Sequence, residues 1–313
     1  MARTLYRTAR WLVVIVAGLC ALMLVPRYWH QRLDEAARTG AKPGGFMLFA
    51  SARAPASDRA GCSDGAFAAA AAQNAQTMPS LVWSPFRRAE IGWATYEALV
   101  MHAAGTGCGG DSEGFARALA TWQGSHGLQA TGVFDEAVFK VMLRDWNLGR
   151  PFARLMMKGS CPDAPAEWTL AQAAPAEGFS GKVIRLRPEA LEAYRAMARA
   201  ARAESPQAFR DPATMTIFSG FRSPDETTAD CLLNGGCGGP EKANCSSHRT
   251  GLAMDVYLGH APGYGPASTA DANRLEISRE PAYRWMVQNA GRFGLANYPF
   301  EPWHWEWTGQ AGP

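Results

Sequence analysis

Three short segments near the carboxyl end carry side chains with chemistry to offer. They are Ser219-Gly-Phe-Arg222-Ser-Pro, Ser246-Ser-His248-Arg-Thr-Gly251-Leu-Ala-Met-Asp255 and Glu301-Pro-Trp-His304-Trp. Two histidines and one carboxylate make a sufficient protein shell for a catalytic zinc, with the fourth position left to water. His248, Asp255 and His304 are the candidate ligands. Residues 252–258 alternate as a strand, with Leu252, Met254, Val256 and Leu258 on one side and Ala253, Asp255 and Tyr257 on the other. Asp255 thus projects away from an apolar stripe, and a carboxylate there needs a partner. His248 enters from the loop before Gly251, where the backbone can bend to bring both ligands together.

Glu301 stands three residues before His304. In a regular strand the two would face opposite ways, so Glu301 is expected on a turn fixed by Pro302, beside the metal without ligating it. A carboxylate so placed takes the proton from an attacking water and later delivers it to the leaving amine. Arg222, expected at a strand end, offers hydrogen bonds to the oxyanion of a tetrahedral intermediate or to a substrate carboxylate. Taken singly, each residue has a plainer reading. His248 alone is an ordinary core or surface histidine, Asp255 a turn residue or salt-bridge partner, Arg222 a solvated charge. Their joint spacing favours chemistry, whereas His30, His102, His126 and His260 lack such company and read as structural.

The three segments resemble those of the zinc D-alanyl-D-alanine carboxypeptidases and dipeptidases of the VanY/VanX group, within the LAS metallopeptidases (peptidase family M15). The family pattern S-x-H-x-x-G-x-A-x-D is met at Ser246, His248, Gly251, Ala253 and Asp255. E-x-W-H is met at Glu301, Trp303 and His304, and S-G-[YF]-R-S at Ser219 to Ser223. The resemblance spans about 130 residues. It implies one zinc per chain on His248, Asp255 and His304, Glu301 as general base and acid, Arg222 in transition-state stabilisation and Ser246 in holding substrate. The insert between Cys231 and Cys245 departs from the shortest members.

The elements that must position these residues imply an α+β domain over residues 181–313, a small antiparallel sheet flanked by helices. Leu191, Tyr194, Met197, Ala198 and Ala201 describe an amphipathic helix opened by Pro188. Residues 215–218 read as a strand. A late helix opens at Pro281, buries Ala282, Trp285, Met286 and Phe293, and stops near Gly294. The Trp303, Trp305, Trp307 alternation reads as a strand packing its apolar face.

Upstream, residues 61–149 look helical. Phe115, Leu119 and Trp122 recur at helical spacing behind Asp111 or Ser112 as a cap, and Asp135 can cap a helix bearing Val138, Val141 and Met142. With Trp122-Gln123, Gly127-Leu128 and Thr131-Gly132-Val133-Phe134-Asp135, this stretch resembles the peptidoglycan-binding domain found beside many cell-wall hydrolases; a helical spacer without ligand is the plainer reading. Gly105, Gly107 and Gly110 match a dinucleotide fingerprint in letters only, because no strand precedes them, so no nucleotide is expected. Residues 150–180, rich in Pro and Ala, read as a linker.

Residues 11–26 form an uncharged apolar run behind Arg3, Arg7 and Arg10, the pattern of export. No small-x-small cleavage site closes the run, so residues 1–28 read as an uncleaved membrane anchor in preference to a cleaved signal. Residues 29–60 follow as a tether. Beyond Cys20, six cysteines (62, 108, 161, 231, 237 and 245) suggest up to three disulfides in an oxidising compartment, periplasmic or extracellular. Cys62 with Cys108 is the first expected pair, since both flank one helical region. Zinc on Cys231, Cys237 and Cys245 is a competing reading, though no C-x-x-C pair supports it. The 313 residues carry 31 Lys+Arg against 28 Asp+Glu, a net charge of +3 that gives no reason to expect nucleic acid. The apolar fraction of 47% excludes a wholly disordered chain.

The expected function is a zinc-dependent carboxypeptidase removing the terminal D-Ala from peptidoglycan stem peptides. A peptidoglycan endopeptidase, D,D or L-Ala–D-Glu, would use the same shell. A non-catalytic wall-binding protein is the alternative of another class, disfavoured because a purely structural zinc needs neither Glu301 nor Arg222.

Overall fold

The computed structural model describes residues 59–159, 161–233, 238–239, 242–243 and 245–309. The expected anchor, the tether up to residue 58 and Cys237 lie outside them, as does the side chain of Cys231. Among the described residues no helix is long and apolar enough to cross a membrane.

Capping side chains set the first elements. The segment runs α1 (Ala68–Thr77), a short ladder of β1 (Val82–Trp83) with β2 (Glu90–Ile91), α2 (Glu97–Ala103), α3 (Glu113–Ser125) and α4 (Glu136–Gly149). Ser112 opens α3 by accepting from the Phe115 N–H at 3.2 Å, and Asp135 opens α4 by accepting from the Val138 N–H at 2.9 Å. The faces so presented bury Trp93, Tyr96, Phe115, Leu119, Phe134, Phe139 and Met142 in one aromatic-rich core. Two buried amides hold the turn before α4. Gln123 accepts from the Gly132 N–H and donates to the Val133 carbonyl, while Asn74 donates to the Gly132 carbonyl and accepts from the Phe134 N–H. Cys62 and Cys108 form the expected disulfide.

The stretch read as a linker carries structure of its own. It contains α5 (Pro151–Met157) and β3 (Ala171–Gln172), which pairs with β4 (Arg185–Leu186). Pro151 supplies the preset φ of a first helical position, so α5 starts despite the proline content. Next come α6 (Pro188–Glu204), β5 (Ile217–Ser219), α7 (Pro224–Leu233), a ladder of β6 (Gly238–Gly239) and β7 (Lys242–Ala243), and β8 (Ala253–Val256). The chain closes with α8 (Asp271–Arg279), α9 (Pro281–Asn289), β9 (Leu295–Tyr298) and β10 (Glu301–Trp307). The fold class is α+β, as expected. The strand expected at 215–218 begins later, at Ile217: Met215 has φ of +76°, which breaks the extended run although its N–H still bonds the Tyr257 carbonyl at 2.8 Å.

The four-stranded antiparallel sheet has the order β5-β8-β10-β9. Along β8 and β10 one face carries Met254, Val256, Trp303 and Trp305, all 2% exposed or less. Leu191, Tyr194 and Met197 of α6 and Tyr283 and Met286 of α9 belong to the same core. The other face carries Asp255, His304 and Glu306.

Two buried ion pairs fasten the helical segment to the sheet. Arg274, on α8, is fully buried; it donates to Glu90 Oε1 at 2.9 Å, to the Tyr96 hydroxyl at 2.5 Å and to the Phe300 carbonyl at 2.7 Å. Arg150, between α4 and α5, binds Glu306 at 2.5 Å. Ala98 and Leu99 of α2 enter the core of the sheet, so residues 59–309 pack as parts of one unit.

Arg274→Met should cost about 3–5 kcal/mol of unfolding free energy, because it leaves the Glu90 carboxylate buried without a cation. Adding Glu90→Gln should recover part of that loss. Urea unfolding of the single and double variants measures both.

Candidate metal centre

A tight turn and a strand pairing bring the three candidate ligands together. Ser246 caps a 3-10 turn at Ser247–Thr250, accepting from the His248 N–H at 3.3 Å. Gly251 ends that turn with φ of +69°, a left-handed conformation suited to glycine, and sends the chain into β8. A Cβ there would come within 3.0 Å of Leu170 Cδ2. Across the sheet, the antiparallel register places His304 directly opposite Asp255.

His248, Asp255 and His304 are 2%, 7% and 3% exposed, and their ligand atoms all lie within 4.8 Å of one another. Asp255 Oδ2 is 3.2 Å from His248 Nε2, and Oδ1 is 2.8 Å from His304 Nδ1. The outer nitrogens are held from behind. His248 Nδ1 lies 2.7 Å from the Gly220 carbonyl, which only accepts, so Nδ1 carries the proton. His304 Nε2 lies 3.0 Å from Ser247 Oγ and 3.4 Å from Glu306 Oε1. Neutral rings held in this way turn lone pairs toward a carboxylate at contact distance, and a shared cation resolves that conflict. The donor set, two imidazoles and one carboxylate, suits zinc.

Charge in the protein groups follows the same logic. Burial holds His248 below the ordinary histidine range. Burial also opposes charge on His304, yet its bonds to Asp255 and Glu306 outweigh that and lift it to about 9. For Asp255, burial works against ionisation but both histidines keep it well below the usual carboxylate range. A proton on His304 thus stands in for the cation among the protein groups.

Glu301 opens β10 and does not sit on a turn. The pairing of β10 with β9 shifts register between Glu301 and Trp305, and that bulge re-aims the glutamate toward the face of His304. Its Oε2 lies 3.9 Å from His304 Nδ1, outside hydrogen-bond reach. Burial, with the charge of Asp255, pushes Glu301 up to about 7 against the pull of His304 and the two arginines 150 and 222. Arg222 stands on the His248 side, its Nη2 donating to Ser246 Oγ at 3.3 Å and its N–H directed at the His248 carbonyl. Next to it Ser223 and Glu226 form a reciprocal box at the start of α7, the Ser223 N–H bonding Glu226 Oε2 at 2.7 Å and the Glu226 N–H bonding Ser223 Oγ at 3.2 Å.

Three groups of the centre escaped the sequence reading: Ser247, the Gly220 carbonyl and Glu306. Glu306 had a signal, being the sole carboxylate two residues from His304 in an aromatic strand and hence on the same face. Arg150, its partner 156 residues upstream, had none. Cys245, three residues before His248, is bonded to Cys161, which removes it from any cysteine zinc site.

No protein-family model and no curated protein matches this chain. Among solved structures it is similar to the LdcB LD-carboxypeptidase, described with its basis of peptidoglycan recognition. The identity is 22%, over 48% of this chain and 71% of that one, with a TM-score of 0.32. It is also similar to the vancomycin-resistance D,D-pentapeptidase VanY of a VanB-type cassette, in complex with Zn(II). There the identity is 20%, over 47% of this chain and 83% of that one, with a TM-score of 0.27.

Two outcomes follow from this geometry. Gly251→Ala should lower unfolding free energy by about 1–2 kcal/mol, the cost of a left-handed non-glycine residue, read by urea denaturation. Glu226 is held below its ordinary value of 4.5, chiefly by the Ser223 N–H. A lowered folded-state pKa contributes stability above the ordinary value and loses it as pH falls through the folded one. Glu226→Gln should therefore melt below the parent at pH 7, and the gap should shrink as pH falls from 4.5. A gap that stays constant down to pH 2 would contradict this.

Proposed function

We propose that this chain is a zinc peptidase acting outside the cytoplasm, which removes the terminal D-Ala from peptidoglycan stem peptides. The observation that carries the reading is the buried His248–Asp255–His304 cluster with a carboxylate of raised pKa, Glu301, beside it but not in it. A structural metal needs no such neighbour.

Zinc on the three ligands would supply Lewis-acid polarisation of the scissile carbonyl and of an attacking water. Glu301 accepts the proton of that water at Oε2 and returns it to the leaving amine; a carboxyl group near 7 suits both transfers at neutral pH. Arg222, steadied by Ser246, holds the substrate's terminal carboxylate or the oxyanion. Ser246 hydrogen-bonds the substrate backbone. The helical segment 61–149 contacts the wall and raises the local concentration of stem peptides. The disulfides Cys62–Cys108 and Cys161–Cys245 belong to an oxidising compartment, in keeping with a periplasmic or extracellular enzyme, and residues 11–26 tether it to the membrane.

Purified muropeptides incubated with the zinc-loaded protein should lose one D-Ala, seen by mass spectrometry. Separation of crosslinked stems would instead mean an endopeptidase, and unchanged muropeptides would sink the enzyme reading. Glu301→Gln should keep its zinc while D-Ala release falls about 10²–10⁴-fold. His304→Ala should lose the zinc itself, measured by metal analysis alongside release. Near-parent release by Glu301→Gln would remove Glu301 from the base role.

A further inference from the structure

We propose that Glu306, backed by Arg150, is a positioning residue that holds the candidate ligand His304 in its metal-binding tautomer, an inference that rests on the zinc peptidase reading above. Glu306 is 1% exposed, and its oxygens face three groups. Oε1 accepts from Arg150 Nε at 3.0 Å and Nη2 at 2.5 Å, and Oε2 accepts from the Phe152 N–H at 3.1 Å. Oε1 also faces His304 Nε2 at 3.4 Å. Arg150 is equally confined: its Nη1 donates to Asn147 Oδ1 at 3.2 Å and its guanidinium lies 4.1 Å over the Tyr298 ring.

A buried ion pair is an expensive way to fill space, since apolar residues of the same volume often serve stability as well or better. This pair sits where it does something apolar residues cannot do. With a cation on Nδ1 the ring proton stands on Nε2, and a carboxylate behind that nitrogen would favour this arrangement and raise the basicity of the ligand. Ser247 Oγ both donates and accepts and so does not choose between tautomers, whereas the Glu306 carboxylate on the same side only accepts. Arg150 fixes the rotamer of Glu306 through two hydrogen bonds to Oε1. Because Arg150 lies at the junction of α4 and α5, the helical segment braces the metal centre.

The test uses the full chain and two variants. Arg150→Met/Glu306→Leu removes both charges together, so neither is left buried alone; Glu306→Gln keeps the shape and an acceptor oxygen. Zinc affinity is read by chelator competition and ligand geometry by the visible spectrum of the cobalt(II)-substituted protein. The double variant should bind zinc about 10–100-fold more weakly with a shifted cobalt spectrum. Glu306→Gln should lose less than the double variant but still measurably, because it keeps the side chain's shape and removes its charge. A role confined to stability would move the melting temperature and leave both metal readouts at parental values, which would overturn the inference alone. Should the double variant fail to fold, parental affinity and spectrum in Glu306→Gln would overturn it equally. A parent chain that takes up no zinc would overturn the peptidase reading and this inference together.

Discussion

The cross-strand pair of Asp255 and His304 is the constraint on which the rest of the centre depends. Their side chains meet because β8 and β10 are hydrogen-bonded in a register that sets the two residues opposite each other. That register is enforced from the far face, where Met254, Trp303 and Trp305 must all point into the core. Side chains alternate with a period of two, so a slip of one residue would turn the tryptophans and the Asp255–His304 pair to the wrong faces together. The placement of these two candidate ligands is therefore as secure as the core itself. Only His248 comes from outside the sheet, and its turn is tied down at Ser246, Gly251 and the Gly220 carbonyl.

Around that pair the charges are arranged in depth. Asp255 faces two imidazoles, His304 faces two carboxylates and a hydroxyl, and Glu306 faces a guanidinium and a backbone N–H. Each of these three groups has its partners, the condition under which an internal network specifies a structure instead of weakening it. Glu301 stands apart. It is the carboxylate of the centre with the raised pKa, held near His304 without bonding to it, and the bulge in β10 is what puts it there.

What could be read from the sequence was whatever is local or periodic. Ser112 and Asp135 cap the helices they were expected to cap, Pro188 and Pro281 open theirs, and the Cys62–Cys108 pair follows from two cysteines flanking one helical core. His248, Asp255 and His304 were legible because two of them lie on strands whose apolar alternation gives away the polar face. A regular strand forbids i and i+3 from sharing a face, which points Glu301 to a turn; the bulge that breaks the rule leaves no trace in residue type. The positive φ of Met215 is equally silent. Contacts between distant segments were beyond reach: Arg274 with Glu90 is 184 residues apart, Arg150 with Glu306 is 156, and Cys161 with Cys245 is 84. Proline and alanine between 150 and 180 suggested a linker, whereas the packing of Arg150 makes its start part of the interior.

The two arginines that join the helices to the sheet bear on how such a chain can change over generations. A domain hung on a loose tether can be traded by recombination, since nothing on its neighbour needs it. Here the buried charges of Arg274 and Glu306 are partnered largely by Glu90, Tyr96 and Arg150, which come with the other segment. A crossover that replaced residues 61–149 with an unrelated module would strand a cation at one junction, and one reaching past residue 150 would strand an anion at the other. An exchanged helical segment would therefore have to bring its own counterparts of Glu90, Tyr96 and Arg150 to keep those charges paired.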